Sequence, residues 1–262
     1  MTEGDAFYEL DGDRAIPSEL TRGPWDAGSQ HAGPPAALLG RAMEALPLGE
    51  EEMRIGRITY EILRPVPIAP LRIEAGIERD GRRVQMLQAS IHAGDDEVMR
   101  ARGWRFRVAP AELPSGLLPG PLGHGPADGT PGDFFPTGSD VGYHSAVEYR
   151  FVEGSFVEPG PATVWMRSRV PVVAGEENSP LGRVLVVADS GNGVSATLDW
   201  RRFLFINVDL TVHLHRLPAG EWVCLDAVTM PQADGVGLAD TALWDEQGPI
   251  GRAAQTLLVA ER

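Results

Sequence analysis

The chain has 262 residues, of which 43% are hydrophobic and 23% charged, and a formal net charge of −14. This composition fits a globular protein with one large or two small domains, and the acidic excess argues against a general nucleic-acid surface. No apolar run approaches the ~20 residues that span a bilayer, the acidic N-terminus does not resemble a signal peptide, and the single Cys224 suits a reducing compartment, so we predict a cytoplasmic protein.

The first half predicts two short strands, one helix and four further strands. Strand candidates at 6–10 and 15–20 are separated by a turn. The largely apolar stretch 30–46 predicts a helix that other elements enclose, and Pro47 marks its end. Four strands follow, at 54–63, 71–79, 83–93 and 97–108.

Residues 109–141 are rich in Pro and Gly, which break helices and favour turns. The segment lies near the middle of the chain, and we interpret it as a linker wrapped between two similar halves. The predicted domains are therefore an N-terminal half at 1–108 and a C-terminal half at 142–262.

The second half repeats the order of the first. Two strands (146–151 and 163–169) precede an apolar helix at 180–190, for which Ser179 is a plausible N-cap. Strands are predicted next at 203–215, 221–228, 237–244 and 251–259. One helix followed by a run of strands favours an α+β fold, in which an antiparallel sheet wraps around each helix.

An internal repeat with a shift of about 152 residues supports the two halves. The shift aligns Arg64 with Arg216, Val98 with Ile250, and Arg100 with Arg252. Three polar residues of the second half lack matching partners in the first, which indicates a single site per chain. They are Asp209 (opposite Arg57), Thr229 (near Glu78) and Gln255 (opposite Gly103).

The stretch 203–216 alternates between apolar and polar residues. Strand geometry then places Asp209, Thr211, His213 and His215 on one face, although a half-exposed strand with solvated side chains would show the same pattern. Two histidines on one strand suggest a metal site. Because zinc needs three or four ligands and no further set joins them, we expect neither a metal nor another cofactor.

Several short motifs, in this order and spacing, resemble the bacterial acyl-CoA thioesterase II family. They include Gln30–Ala42, Leu63-Arg64-Pro65, Asn207-Val208-Asp209, His215-Arg216, Val228-Thr229 and Ala254-Gln255. The stretches 187–195 and 207–216 most resemble the actinobacterial branch. The resemblance implies a double hot-dog fold, in which each half contributes a helix and an antiparallel sheet, and a site at the seam between the halves. It further implies hydrolysis of acyl-CoA or acyl-carrier thioesters and a possible homo-oligomer, either a dimer or a tetramer.

The family's catalytic Asp, Thr and Gln fall on Asp209, Thr229 and Gln255. A carboxylate can take a proton from water, and the other two side chains can hold that water by hydrogen bonds. The oxyanion could be met by backbone N–H groups at the start of a buried helix, around Gly33 or Leu181.

Four residues near the helix ends are further candidates for substrate binding: His31, Gly33, Asp189 and Asn192. His31 could contact the thioester or be an ordinary turn residue. Asp189 could line the acyl pocket, orient the water, or simply end its helix. Two other functions stay open, a non-catalytic acyl-thioester binding module and an enoyl-thioester hydratase or dehydratase.

Overall fold

Two helices lie against each other at the centre of the molecule, and one antiparallel sheet surrounds them. The computed structural model describes residues 5–48, 51–117, 119–132, 134 and 137–262. The helices are α1 (Gly33–Glu44), α2 (Tyr143–Ala146), α3 (Pro180–Ala188) and α4 (Gly191–Val194). The strands are β1 (Tyr8–Asp11), β2 (Arg14–Pro17), β3 (Met53–Ile62), β4 (Leu71–Arg79), β5 (Val84–Ala93), β6 (Asp96–Arg107), β7 (Val147–Glu153), β8 (Ala162–Ser168), β9 (Phe203–Asn207), β10 (Asp209–Leu214), β11 (Val223–Pro231), β12 (Val236–Asp245) and β13 (Gly248–Glu261).

The strand order is nearly the same when it is read from either edge of the sheet. It runs β1-β2-β4-β5-β6-β3-β10-β13-β12-β11-β8-β7, and β9 pairs with β13 beside this path. The two halves meet where β3 pairs with β10. At this junction Thr59 and Thr211, which the repeat aligns, lie directly opposite each other, with their Oγ1 atoms 3.1 Å apart. The predicted α+β double hot-dog fold is confirmed.

The predicted strand 203–215 is wrong in one respect, because it is divided at Val208. Asn207 lies opposite Leu257, and Thr211 lies opposite Ala254. Four residue steps on one strand therefore face three on the other (211 − 207 against 257 − 254). The extra residue is a β-bulge, which reverses the faces to which side chains before and after it point.

The linker lies along the second half. Thr130 and Phe151 exchange backbone hydrogen bonds of 2.9 and 2.8 Å, and the buried Trp165 donates its indole N–H to His124 Nδ1 at 3.1 Å. A short 3-10 turn at Pro126–Asp128 is the helical element described within 109–141. Among the described residues, no helix is long and apolar enough to cross a bilayer.

Helices α1 and α3 approach so closely that glycine is required at their contact. A Cβ atom on Gly33 would lie 2.2 Å from the carbonyl oxygen of Val186, and one on Gly40 would lie 2.3 Å from a methyl group of Leu185. Leu185 can rotate away, whereas the Val186 carbonyl belongs to the backbone of α3. Gly33 therefore sets the distance between the helices at the start of α1.

Gly33→Ala should lower the free energy of unfolding by about 3 kcal/mol, because a methyl group there forces the helices apart. Urea denaturation would measure the change. Gly76→Ala is the matched control, since a Cβ at this strand position meets no heavy atom within 4 Å; its stability should change by no more than about 1 kcal/mol. Equal stabilities of the two variants would contradict this account of the helix contact.

A buried ion pair closes the hairpin between β12 and β13. The fully buried Asp245 carboxylate accepts two hydrogen bonds of 2.5 Å from Arg216, and two more from the backbone N–H groups of Ala219 and Gln247. Burial by itself would raise the pKa of Asp245, but these hydrogen bonds outweigh it and hold the pKa below its usual value. Asp245 is therefore charged and paired in the folded protein.

Because of this ion pair, the free energy of unfolding should depend on pH in the acid range. In the unfolded chain an Asp carboxyl has a pKa of ~4. The contribution of the ion pair to the free energy of unfolding is therefore complete above this pH, and it is lost as the pH falls through the lower pKa of Asp245 in the folded protein. Asp245→Asn should flatten this acid limb and cost about 3 kcal/mol at pH 7. Denaturation curves recorded between pH 2 and 7 would test both expectations, and an unchanged acid limb would contradict them.

Candidate active site

A cavity of about 460 Å³ lies at the seam between the two halves. The first half contributes the start of α1 and the segment after β3, and the second contributes the end of α3 and the bulge between β9 and β10. Most of the wall is apolar or aromatic. Its lining includes Trp25, His31, Ala32, Leu63, Phe134, Tyr143, Tyr149, Phe156, Asp189, Asn192, Asn207 and Val208.

The side chain of Asp189 is buried in this wall. Asp189 caps the C-terminal end of α3, and its side chain is 5% exposed. Its Oδ1 atom accepts hydrogen bonds from Asn207 Nδ2 at 2.8 Å and from Gln255 Nε2 at 3.1 Å. Its Oδ2 atom lies 3.2 Å from His31 Nδ1. The end of one helix, the start of the other and two strands thus converge on one carboxylate.

Gln255 orients this carboxylate from behind the cavity. Its Oε1 atom accepts the Asn192 backbone N–H at 3.0 Å, and this contact sets the direction of the amide. Its Nε2 group then donates to both the backbone oxygen and Oδ1 of Asp189. Both N–H bonds are used and Gln255 does not line the cavity, so it positions Asp189.

Asn207 is a functional candidate to which the sequence analysis assigned no role. It donates to Asp189 Oδ1 and, at 3.2 Å, to the backbone oxygen of Asp209, while for its own Oδ1 atom the structure records no donor among the described residues. The bulge turns Asn207 toward the cavity, whereas regular alternation would put it on the face of Asp209. In the sequence, the available indication of a role for Asn207 was that two polar residues, Asn207 and Asp209, flank Val208.

The structure does not bring Asp209 together with Gln255. Asp209 accepts the Thr256 backbone N–H at 2.5 Å on an exposed part of the sheet, and it lies opposite Glu61 across β3 and β10. Because side chains alternate between faces, Thr256 and its neighbour Gln255 point to opposite sides of β13. Asp209 precedes the fully buried Leu210 on β10, so its own side chain points to the outer face of the sheet, away from the buried Gln255.

Thr229 is also separate from the Asp189 carboxylate. It is buried, and its Oγ1 atom lies 2.8 Å from Ser195 Oγ. Ser195 donates its hydroxyl proton to the Gly191 carbonyl at 2.8 Å, so Thr229 is the donor in its own contact with Ser195. Thr229 contacts the C-terminal end of α4 through Ser195 and does not line the cavity.

His31 lies beside Asp189 at the start of α1. Its Nδ1 atom accepts the Gly33 backbone N–H at 3.1 Å. Its ring stacks on Tyr143, with ring centres 3.7 Å apart and planes 5° from parallel. Burial lowers the pKa of the imidazole, although the nearby Asp189 carboxylate acts in the opposite direction. The ring is therefore neutral near neutral pH and held in place on two sides.

The expected backbone oxyanion site at Gly33 is not available, because each N–H of the first turn of α1 is used or missing. Gly33 donates to His31, Pro34 and Pro35 carry no N–H, and the Ala36 N–H donates to the Ala32 carbonyl at 3.0 Å. Ala32 lines the cavity, and for its N–H the structure records no acceptor among the described residues.

The other two candidates fall on different sides of the site. Leu181 is at the start of α3, eight residues before Asp189, which separates them by ~12 Å along the helix axis. Asn192 lines the cavity and donates from Nδ2 to the Phe205 carbonyl at 2.7 Å, while its buried Oδ1 atom has no partner within the described part of the chain. In the same described part, no three His, Cys, Asp or Glu side chains form a metal-binding group.

Comparison with known proteins decides the family. An acyl-CoA thioesterase N-terminal domain matches residues 21–106, and an acyl-CoA thioesterase C-terminal domain matches residues 124–259. The chain belongs to the acyl-CoA thioesterase family. This membership makes it a thioester hydrolase, and it confirms the resemblance that the sequence motifs indicated.

Solved structures share the fold at low sequence identity. A structure classed as a thioesterase II, from Thermobifida fusca, is 18% identical over 97% of this chain and 94% of its own, with a TM-score of 0.76. A hot-dog protein from Alicyclobacillus acidocaldarius is 16% identical over 97% and 95%, with a TM-score of 0.72. An acyl-CoA thioesterase II from Mycobacterium marinum is 12% identical over 97% and 94%, with a TM-score of 0.67. No curated protein matches the chain in sequence.

Gln255→Leu should reduce kcat for thioester hydrolysis by about 100-fold, because a misplaced carboxylate loses the orientation on which the reaction depends. KM should change little, since Gln255 does not line the cavity. Steady-state kinetics with a thiol-detecting reagent would measure both constants. Thr256→Val, one residue away on the outer face, is the control and should match the wild type. A large rise in KM with kcat unchanged would contradict a positioning role.

Proposed function

We propose that the chain hydrolyses acyl-CoA thioesters in the seam cavity, with Asp189 as the base that takes a proton from the attacking water. The observation that carries this proposal is the buried Asp189 carboxylate, which faces the cavity and is held by Asn207 and Gln255. A carboxylate within hydrogen-bond reach of water acts as a general base. Orientation by two amides reduces the entropy lost in reaching the reactive geometry.

The water would be held through both of its O–H bonds. One bond would point to the Asp189 carboxylate, and the other to Asn207 Oδ1, for which no donor is recorded within the described part of the chain. A lone pair of the water then faces the thioester carbonyl carbon. In this arrangement Asn207 fills the water-holding role that the sequence resemblance places on Thr229.

The developing oxyanion would accept the Ala32 N–H. Among the described residues this N–H has no acceptor, and the positive end of the helix dipole adds to its effect. The assignment moves the oxyanion site by one residue from Gly33, whose own N–H is occupied by His31.

The substrate is divided between two regions of the cavity. The aromatic wall formed by Phe134, Tyr149 and Phe156 suits an apolar acyl group. Leu63 and Val208 line the cavity and are 44% and 45% exposed, so they mark its mouth, where the pantetheine arm would lie. Coenzyme A and acyl-carrier proteins share this arm. We infer an acyl-CoA substrate from fatty acid metabolism and a cytoplasmic enzyme; the predicted dimer or tetramer stays a prediction.

Asp189→Asn should lower kcat/KM for acyl-CoA hydrolysis at least ~100-fold, because the amide cannot take a proton from water. Asp226→Asn, which changes an exposed carboxylate on β11, should leave the rate unchanged. Release of free thiol from an acyl-CoA panel, with an acyl-carrier thioester alongside, would be followed for each variant. Full activity of Asp189→Asn would overturn the assignment of the base.

Asp209→Asn tests the set predicted from sequence. If Asp209 is the base, this variant loses activity and Asp189→Asn keeps it; we expect the reverse. The His31–Asp189 pair would also suit acid–base addition of water to a double bond, so an enoyl thioester belongs in the panel. Hydration without thiol release would favour a hydratase, and saturable binding without either reaction would favour a binding module.

A further inference from the structure

One arginine in the wall of the cavity has no part in the chemistry proposed above. Of the described residues that line the cavity, Arg64 is the one lysine or arginine. It lies two residues after the end of β3 and next to Leu63, which marks the mouth of the cavity. Its side chain is 61% exposed. Arg64 therefore places a permanent positive charge at the entrance of a largely apolar pocket.

The internal repeat allows a direct comparison, because Arg64 aligns with Arg216 and each arginine lies beside the next hairpin of its own half. In the second half, the guanidinium of Arg216 donates two hydrogen bonds of 2.5 Å to the buried Asp245 and one of 2.9 Å to the Gly248 carbonyl. The position of Asp245 is the last residue of β12, and the aligned last residue of β5 is Ala93. The carboxylate that fixes Arg216 therefore has no counterpart beside Arg64.

The contact that Arg64 does make leaves its guanidinium available to a ligand. Its Nη2 atom lies 3.4 Å from Asp96 Oδ1, and for this side chain no hydrogen bond is recorded among the described residues. Asp96 is itself 63% exposed. An ion pair between two exposed side chains contributes little free energy, because water competes for both partners. Asp26, an exposed carboxylate in the cavity lining, accepts the Ser29 hydroxyl at 2.6 Å instead.

A phosphate is the ligand that fits a free guanidinium at this place. The pantetheine arm that carries an acyl thioester ends in a phosphate, both in coenzyme A and on an acyl-carrier protein. With the thioester beside Asp189, the arm leaves through the mouth and its phosphate comes out beside Arg64. The planar fork of N–H donors on arginine matches the oxygens of a phosphate. Because the chain has a net charge of −14, a phosphate at its surface needs a cation next to it.

We propose that Arg64 binds the phosphate at the end of the pantetheine arm, so that the cavity prefers phosphopantetheine thioesters to thioesters of smaller thiols. The proposal rests on the function proposed above for the seam cavity. The two copies of one arginine then have different roles, since Arg216 stabilises a hairpin and Arg64 binds substrate. The phosphate is remote from the reacting carbon, so Arg64 should affect KM and leave kcat nearly unchanged.

The test compares Arg64→Gln with the wild type on three thioesters that share one acyl group: acyl-CoA, acyl-phosphopantetheine and acyl-pantetheine. The last has the same arm without the phosphate. We expect KM for the first two thioesters to rise about 10-fold. KM for acyl-pantetheine should change less than ~2-fold, and kcat should stay within ~2-fold of the wild type on all three.

Two further variants separate a phosphate contact from a general effect of charge. Arg82→Gln removes the same charge from the exposed turn between β4 and β5, and it should leave every KM near the wild-type value. Arg64→Lys keeps the positive charge and should raise KM less than Arg64→Gln does. Salt screens exposed charges, so added KCl should raise KM for acyl-CoA more steeply in the wild type than in Arg64→Gln.

An equal rise in KM on all three thioesters, or no rise on acyl-CoA, would overturn the proposal. A rise confined to acyl-CoA would also overturn it, because the contact would then be with the nucleotide phosphates. An acyl-carrier thioester is measured alongside: the same rise there identifies the carrier as a second source of the phosphate, whereas hydrolysis of acyl-CoA without it leaves coenzyme A as the source. A wild-type chain that hydrolyses none of the thioesters would instead overturn the proposed function, so the two failures are distinguishable.

Discussion

The close contact between α1 and α3 at Gly33 is the constraint on which the site depends. It allows the start of one helix to lie beside the end of the other, and this places His31 within 3.2 Å of Asp189 although the two residues belong to different halves. A side chain on Gly33 would meet a backbone carbonyl, which cannot rotate away. The carboxylate, the imidazole and the Ala32 N–H are then gathered at one end of the seam.

The opposite end of the same helix pair shows why the near-symmetric fold has an asymmetric site. There Ser179 caps α3 by accepting the Gly182 N–H and donates to Glu44 at 2.6 Å, while Arg41 and Glu176 form an ion pair. The polar side chains at this end are thus paired with one another by hydrogen bonds and an ion pair. At the start of α1 the corresponding cap is Ala32, which has no side-chain oxygen, and a cavity lies beside it.

Under the proposed function, the polar groups around the cavity divide into those that orient Asp189 and those that contact the water and the substrate. Gln255 and Thr229 have their donors occupied and lie behind the wall, where they orient Asp189 and support α4. Asn207 lines the cavity, and its Oδ1 atom has no donor among the residues that the structure describes. This division explains how a largely apolar pocket can hold a carboxylate, since Oδ1 of Asp189 accepts N–H groups from both Asn207 and Gln255.

The sequence by itself determined the architecture, the two halves and the family. Apolar periodicity indicates helices and strands, Pro and Gly residues mark where these elements end, and the aligned repeat indicates duplication. It also determined that Gln255, Asp189 and His31 are residues of interest. Only the tertiary structure decided which carboxylate faces the cavity. One extra residue at Val208 turns Asn207 inward and leaves Asp209 on the outer face. A bulge depends on the register with the neighbouring strand β13, and the alternation within a single strand contains no information about that register.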